Sequence, residues 1–270
     1  MNLTEKRMLE MLKKGRDHYG VVAVKAEFEA EGTRPDELLR LLDLARRADL
    51  KVALKIGGCE AISDLFASKL YGIDYIIAPM VETPYALAKF ADARDKVYGD
   101  APTDTRFLFN VETQTTLGFL NDMLPIAKQR LDGIVFGRVD FTLSRGLARG
   151  AINTPEITQA VLQVAEACAS NDLELVVGGS VTIEAAPALR TFRKVRLDRF
   201  ETRKVIFDGA AAEAADFEDG IANAMAFELA WLENKQAYYS AISAEDQARI
   251  KMMRDRIATA NSGAIKSVAA

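Results

Sequence analysis

The stretch FLFNVET (107–113), followed after one helix-length segment by LDGIVFGRVDFTLSRGL (131–147), decides the fold. Each half opens on an apolar run that reads as a buried parallel strand, and each run ends on a carboxylate, Glu112 or Asp140. Consecutive strands in a parallel barrel lie side by side, about 5 Å apart. Residues at their C-terminal ends therefore converge on one face. Two carboxylates placed there make a seat for a hard divalent cation.

Outward from this unit the same alternation repeats. VVAVKAEFE (21–29), KVALKIGG (51–58), IDYIIAPMVET (73–83), TRFLFNVET (105–113), LDGIVFGRVD (131–140), LELVVGGS (173–180) and LDRFETRKVIFD (197–208) read as strands. Segments of helical spacing separate them, the signature of βα units and a parallel sheet. The expected fold is α/β, a (β/α)8 TIM-like barrel with a C-terminal helical extension, although only seven of its eight strands are readable. An open doubly wound sheet is the rival, but no G-x-G-x-x-G follows the first strand. Residues 3 to 18 form an amphipathic helix suited to the barrel floor. FTLSRGLARGAINT (141–154) reads as a loop over the site, and Pro125 is expected to bend the helix after the fourth strand. From about 216 to 262 the chain reads as helix. A single domain is expected, with the barrel core over about 20–210 and C-terminal helices over 211–270.

Of the 270 residues, 49% are hydrophobic, and 35 basic against 39 acidic residues leave a net charge of -4. That balance gives no basic surface for nucleic acid. No apolar run is long enough to span a bilayer, and the charged segment MNLTEKRMLEMLKKG has no signal-peptide core. Two distant cysteines, Cys59 and Cys168, suit a reducing compartment. A cytoplasmic protein acting on a small molecule is expected.

Side chains alternate along a strand, one parity pointing into a barrel and the other packing under helices. Val22, Val24, Ala26 and Phe28 form the helix-facing set of the first strand, which leaves Lys25 and Glu27 inward. On the second, Val52, Leu54 and Ile56 face the helices, and Lys51, Ala53 and Lys55 point in. Asn110 and Glu112 share a face of the fourth strand, and Arg138 and Asp140 a face of the fifth. The polar residues thus collect inward near the C-terminal strand ends, where barrel active sites lie. Such a cluster is costly unless paired or liganded.

APMVET (78–83), NVETQTTLG (110–118) and LDGIVFGRVDFTLSRGL, in that order and spacing, resemble the aldolase/citrate lyase superfamily in its 2,4-dihydroxyheptenedioate aldolase branch. The resemblance covers roughly residues 20 to 210. It implies a barrel that binds a divalent cation, Mg²⁺ or Mn²⁺, through Glu112 and Asp140. It implies a lyase or aldolase acting on a 2-oxo acid or related small carboxylate through a metal-stabilised enolate. Lys55 stands where the family usually has an arginine that assists the enolate oxygen. The amides of Gly57 and Gly58 would donate to a substrate carboxylate, beside Asn110. Arg138, in GRVD where the family has G-P-A-D, would bind a substrate carboxylate or phosphate. The family's acid/base histidine is replaced by Phe28 after Glu27, so Glu27 or Glu29 would move the proton. His18, the one histidine, falls in the N-terminal helix. The family's Gly/Arg-rich loop before the Glu strand is missing from the short DARDKVYGDAPTD (92–104). A homo-oligomer is also implied, because C-terminal helices in the family are exchanged between subunits.

Two other readings compete. A Schiff-base aldolase would use Lys55 or Lys25, and needs a lysine of lowered pKa. A catalytically idle barrel would bind a small acidic ligand, its charges paired in a structural network. Within either reading, Arg199, Glu201 and Arg203 alternate on the last strand and would line the mouth or form an ion ladder.

Overall fold

Val24, Ala26, Leu54, Ile76 and Phe109 are fully buried, and between them along the chain Ala23, Ala53, Ile77 and Leu108 join a second buried cluster with Tyr75, Val135, Val176 and Ile206. These sets are the two faces of one closed sheet, the first packed under helices and the second filling the barrel. The computed structural model describes residues 1–99 and 103–268. Eight strands close in chain order: β1 (Val21–Glu27), β2 (Lys51–Lys55), β3 (Tyr75–Ala78), β4 (Arg106–Val111), β5 (Gly133–Gly137), β6 (Glu174–Gly178), β7 (Arg199–Glu201) and β8 (Val205–Asp208).

The first seven strands are parallel, and β8 is antiparallel to both β7 and β1. LDRFETRKVIFD is therefore not one strand but a tight hairpin that supplies the missing eighth. Thr202 makes the turn: its amide donates to the Val205 carbonyl (2.9 Å) and its Oγ1 accepts from the Val205 amide (3.2 Å).

The helices are α1 (Leu3–Tyr19), α2 (Pro35–Arg47), α3 (Ile62–Tyr71), α4 (Pro84–Tyr98), α5 (Gln114–Gly118), α6 (Leu120–Arg130), α7 (Arg138–Ser144), α8 (Pro155–Asn171), α9 (Ala186–Arg193) and α10 (Phe217–Val268). Asn2 and Glu5 form a capping box that starts α1. Arg16 of α1 lines a cavity at the barrel floor with Lys51, Tyr75, Glu174 and Arg199. Arg199 pairs with Glu174 there, so it belongs to the floor and not to the mouth. The helix after β4 breaks at Phe119, between α5 and α6, rather than at Pro125, which lies inside α6. The expected loop 141–154 is partly helical: α7 begins at Arg138, directly after β5, and Arg149–Asn153 is a 3-10 turn. The segment DARDKVYGDAPTD lies in part outside the described residues.

Two units separate by their contacts, Met1–Glu228 and Leu229–Ala270. The first holds the barrel, and the second is the continuation of α10. No described helix is long and apolar enough to cross a membrane.

Candidate active site

Above the apolar plug the barrel interior turns charged. The strand register places Glu27 beside Lys55, and the inward parity brings Lys25, Glu27, Lys55, Asn110, Glu112 and Glu201 into one layer at the C-terminal strand ends. The cavity they line has a volume of about 520 Å³. Lys25 Nζ binds Glu201 through a short contact and Glu27 Oε1 at 3.1 Å. Lys55 Nζ lies 3.2 Å from Glu29 Oε2 and 3.3 Å from Glu112 Oε2.

Glu112, only 1% exposed, sits at the centre. Its Oε1 accepts the Met80 amide (2.8 Å), and its Oε2 accepts Asn110 Nδ2 (2.6 Å) and Lys55. Met80 has φ +49°, a left-handed conformation that a non-glycine residue adopts only where its surroundings enforce it. Two glycines make room for the carboxylates. A Cβ on Gly137 would lie 2.8 Å from Glu112 Cβ, and one on Gly178 would lie 2.7 Å from Glu201 Oε1.

Burial works against the charge of both lysines, yet their carboxylate neighbours outweigh it. Glu201 and Glu27 raise the Lys25 pKa, and Glu112, Glu29 and Glu27 raise that of Lys55. Burial likewise opposes ionisation of Glu27, but Lys25 and Lys55 hold its pKa below the usual value. Both lysines are thus ammonium ions at neutral pH, the reverse of what a Schiff-base nucleophile needs.

Asp140 reaches the same cavity from the first turn of α7, not from a strand end. It is engaged in no hydrogen bond or ion pair among the described residues. A carboxylate pair offers about eight lone-pair sites. Glu112 commits three of its four, which leaves one on Oε1 beside those of Asp140. Six carboxylates and four cations line the cavity, an excess of two negative charges. Among the described residues no group of three His, Cys, Asp or Glu is arranged to hold a metal. Glu112 and Asp140 nonetheless line one cavity, and two carboxylates suit a hard divalent cation that completes its shell with water and substrate oxygen.

The structure brings Lys55, Glu27, Asn110, Glu112 and Asp140 together, and leaves three expected residues out of the cavity wall. The Gly57 amide donates to Asp64 Oδ2 (2.7 Å), and neither Gly57 nor Gly58 lines the cavity. Arg138 is fully buried and its guanidinium is engaged within the chain: Nε donates to Gly178 O (3.2 Å), Nη2 to Gly179 O (2.9 Å) and Nη1 to Asn153 Oδ1 (3.0 Å). Burial lowers its pKa to about 10, so it keeps its charge at neutral pH. His18 is exposed. Sequence reasoning missed Met80 as a donor, and also Arg149 and Ser180, which line the rim from irregular segments that carry no periodic signal.

A family model described as HpcH/HpaI aldolase/citrate lyase matches residues 37–192. Solved structures are similar at low identity. An HpcH/HpaI aldolase/citrate lyase family protein from Burkholderia cenocepacia J2315 aligns with a TM-score of 0.59 and 14% identity over 89% of this chain and 92% of its own. An HpcH/HpaI aldolase from Desulfitobacterium hafniense DCB-2 aligns with a TM-score of 0.56 and 13% identity over 76% and 84%. A variant of the citrate synthase SbnG aligns with a TM-score of 0.55 and 15% identity over 72% and 81%. At these identities the likeness speaks for the fold. No curated protein matches the chain.

Proposed function

For this chain, which belongs to the HpcH/HpaI aldolase/citrate lyase family, we propose metal-dependent cleavage or formation of a carbon–carbon bond alpha to the carbonyl of a 2-oxo acid. The observation that carries the reading is the pair Glu112 and Asp140 lining one cavity with a protonated Lys55 at 3.3 Å from Glu112. A divalent cation held by Glu112 and Asp140, Mg²⁺ or Mn²⁺, would supply Lewis-acid stabilisation of charge developing on the carbonyl oxygen.

The chain's own residues supply the rest. Lys55 offers a fixed ammonium to the oxo-acid end of the substrate, and its carboxylate partners keep it charged. Glu27 lines the cavity beside Lys55 and would take the proton-accepting role of the histidine that Phe28 replaces, although Lys25 and Lys55 lower its pKa and so weaken it as a base. Asn110 orients Glu112 through its 2.6 Å hydrogen bond and keeps Oδ1, buried and without a hydrogen-bond partner among the described residues, for a substrate or solvent donor. A cytoplasmic homo-oligomer completes the proposal. Free Cys59 and Cys168 support the compartment.

The test is Glu112→Ala, with Mg²⁺ binding followed by calorimetry and cleavage of 4-hydroxy-2-oxo acids by pyruvate release. Loss of both is expected, with cleavage down about 100-fold or more. If metal affinity and lyase activity persist in the variant, the reading fails.

A further inference from the structure

Four cations line the mouth cavity, and three are paired. Lys25 binds Glu27 and Glu201, Lys55 binds Glu29 and Glu112, and Arg203 Nε lies 3.1 Å from Glu31 Oε1. Arg149 differs. Among the described residues it meets no carboxylate, and its Nη2 donates only to the neutral Ser180 Oγ at 3.0 Å.

The two segments that present Arg149 and Ser180 are held by one buried side chain. Arg138 Nη1 donates to Asn153 Oδ1 (3.0 Å), in the 3-10 turn that starts at Arg149. Its Nε and Nη2 bind Gly178 O and Gly179 O, in the segment that ends at Ser180. Arg138 itself has no carboxylate partner among the described residues, so its buried charge adds to the local positive potential. Ser180 is held at φ +47°. A Cβ on the preceding Gly179 would lie 2.7 Å from the Val139 amide nitrogen, so this loop packs tightly on α7. An arginine fork hydrogen-bonded to a positioned serine, with no carboxylate partner among the described residues, is open to receive a carboxylate.

We infer that Arg149, oriented by Ser180, is a specificity-determining residue that receives a second carboxylate of the substrate, so that dicarboxylic 2-oxo acids are preferred over monocarboxylic ones. This rests on the proposed function, which assigns the first carboxylate and the oxo group to the Lys55–Glu112–Asp140 end.

Calorimetric titration with Mg²⁺ present, using pyruvate, oxaloacetate and 2-oxoglutarate against the wild type and Arg149→Gln, tests it. In the wild type at least one of the two dicarboxylates binds more tightly than pyruvate by about tenfold or more, the worth of one charge-assisted pair. R149Q removes that preference and leaves pyruvate affinity unchanged. Arg149 is exposed, and the ratio of affinities within one folded variant is independent of its stability. Equal binding of all three acids by the wild type overturns the inference alone, as does a preference that survives in R149Q or an equal loss for every acid. Binding of none overturns the proposed function and this inference with it.

Discussion

Lys25 shows how a single buried charge organises the mouth. It is 7% exposed and stands between Glu27 and Glu201, so neither carboxylate faces the interior alone. Removing one partner from a buried ion pair costs about 3–5 kcal/mol, because a charge is left uncompensated. The pH dependence follows from the directions of the shifts. Glu27 has a folded pKa below its ordinary 4.5, so its contribution is full above 4.5 and is lost as pH falls through the folded value. Lys25 and Lys55 are raised above the ordinary 10.5, so theirs is full below 10.5 and is lost as pH rises through the folded values. Urea denaturation should therefore give a stability plateau from roughly pH 5 to 10. In Lys25→Met, Glu27 loses its first counter-ion and its pKa rises. Acid unfolding should then begin at higher pH than in the wild type, with neutral stability lower by about 3 kcal/mol. An acid midpoint that does not move contradicts this account of the cluster.

At the scale of elements, strand parity made half of the site readable and its failure explains the other half. Lys25, Glu27, Lys55, Asn110 and Glu112 sit on strands or at their ends, where period two holds, and all reach the cavity. The same rule puts Arg138 and Asp140 on one face. Because α7 starts at Arg138, two residues of separation turn them about 200° apart instead. Asp140 enters the mouth while Arg138 dives under the β6 loop. Nothing in GRVDF announces that early start, since Gly137 offers no capping side chain. The β7–β8 hairpin was hidden for a related reason: its turn, Thr202–Arg203–Lys204, holds none of the Gly, Asn, Asp or Pro residues that mark turns. The β5–α7 junction also yields a prediction. A methyl on Gly137 would sit 2.8 Å from Glu112 Cβ and 3.0 Å from Oε2, and the Glu112 backbone is fixed in the barrel. Gly137→Ala should displace the carboxylate and weaken Mg²⁺ binding about tenfold or more. The overpacking should cost about 1–3 kcal/mol in stability. Calorimetric Mg²⁺ titration beside a thermal melt checks both, and wild-type Mg²⁺ affinity in G137A would show that Glu112 does not depend on that space.

For the whole molecule, alternation of strands with helices gives a parallel sheet covered by helices, and the absence of G-x-G-x-x-G after the first strand favours the closed barrel over an open doubly wound sheet. The same physics leaves the C-terminal unit unexplained as a solitary element. Leu229, Leu232, Ile250, Met253 and Ile257 are all at least 44% exposed, in two groups on α10, Leu229 with Leu232 and Ile250 with Met253 and Ile257, about five helical turns apart. Such spacing places them on one narrow stripe of a helix. Helical stability in proteins comes mainly from packing an apolar face, not from propensity. Two such exposed apolar groups on one helix would be covered if a second copy of the chain packed the same face against them. Light scattering should accordingly return a mass that is a multiple of 29.6 kDa. Replacing Leu232 and Ile250 together by Glu should lower that mass, since two buried like charges in each copy oppose a seam that otherwise hides them from water. Far-UV circular dichroism should register partial loss of helix in the same variant while the barrel, whose core lies within Met1–Glu228, stays folded. A wild-type mass of 29.6 kDa across the micromolar range would reject this role for the stripe.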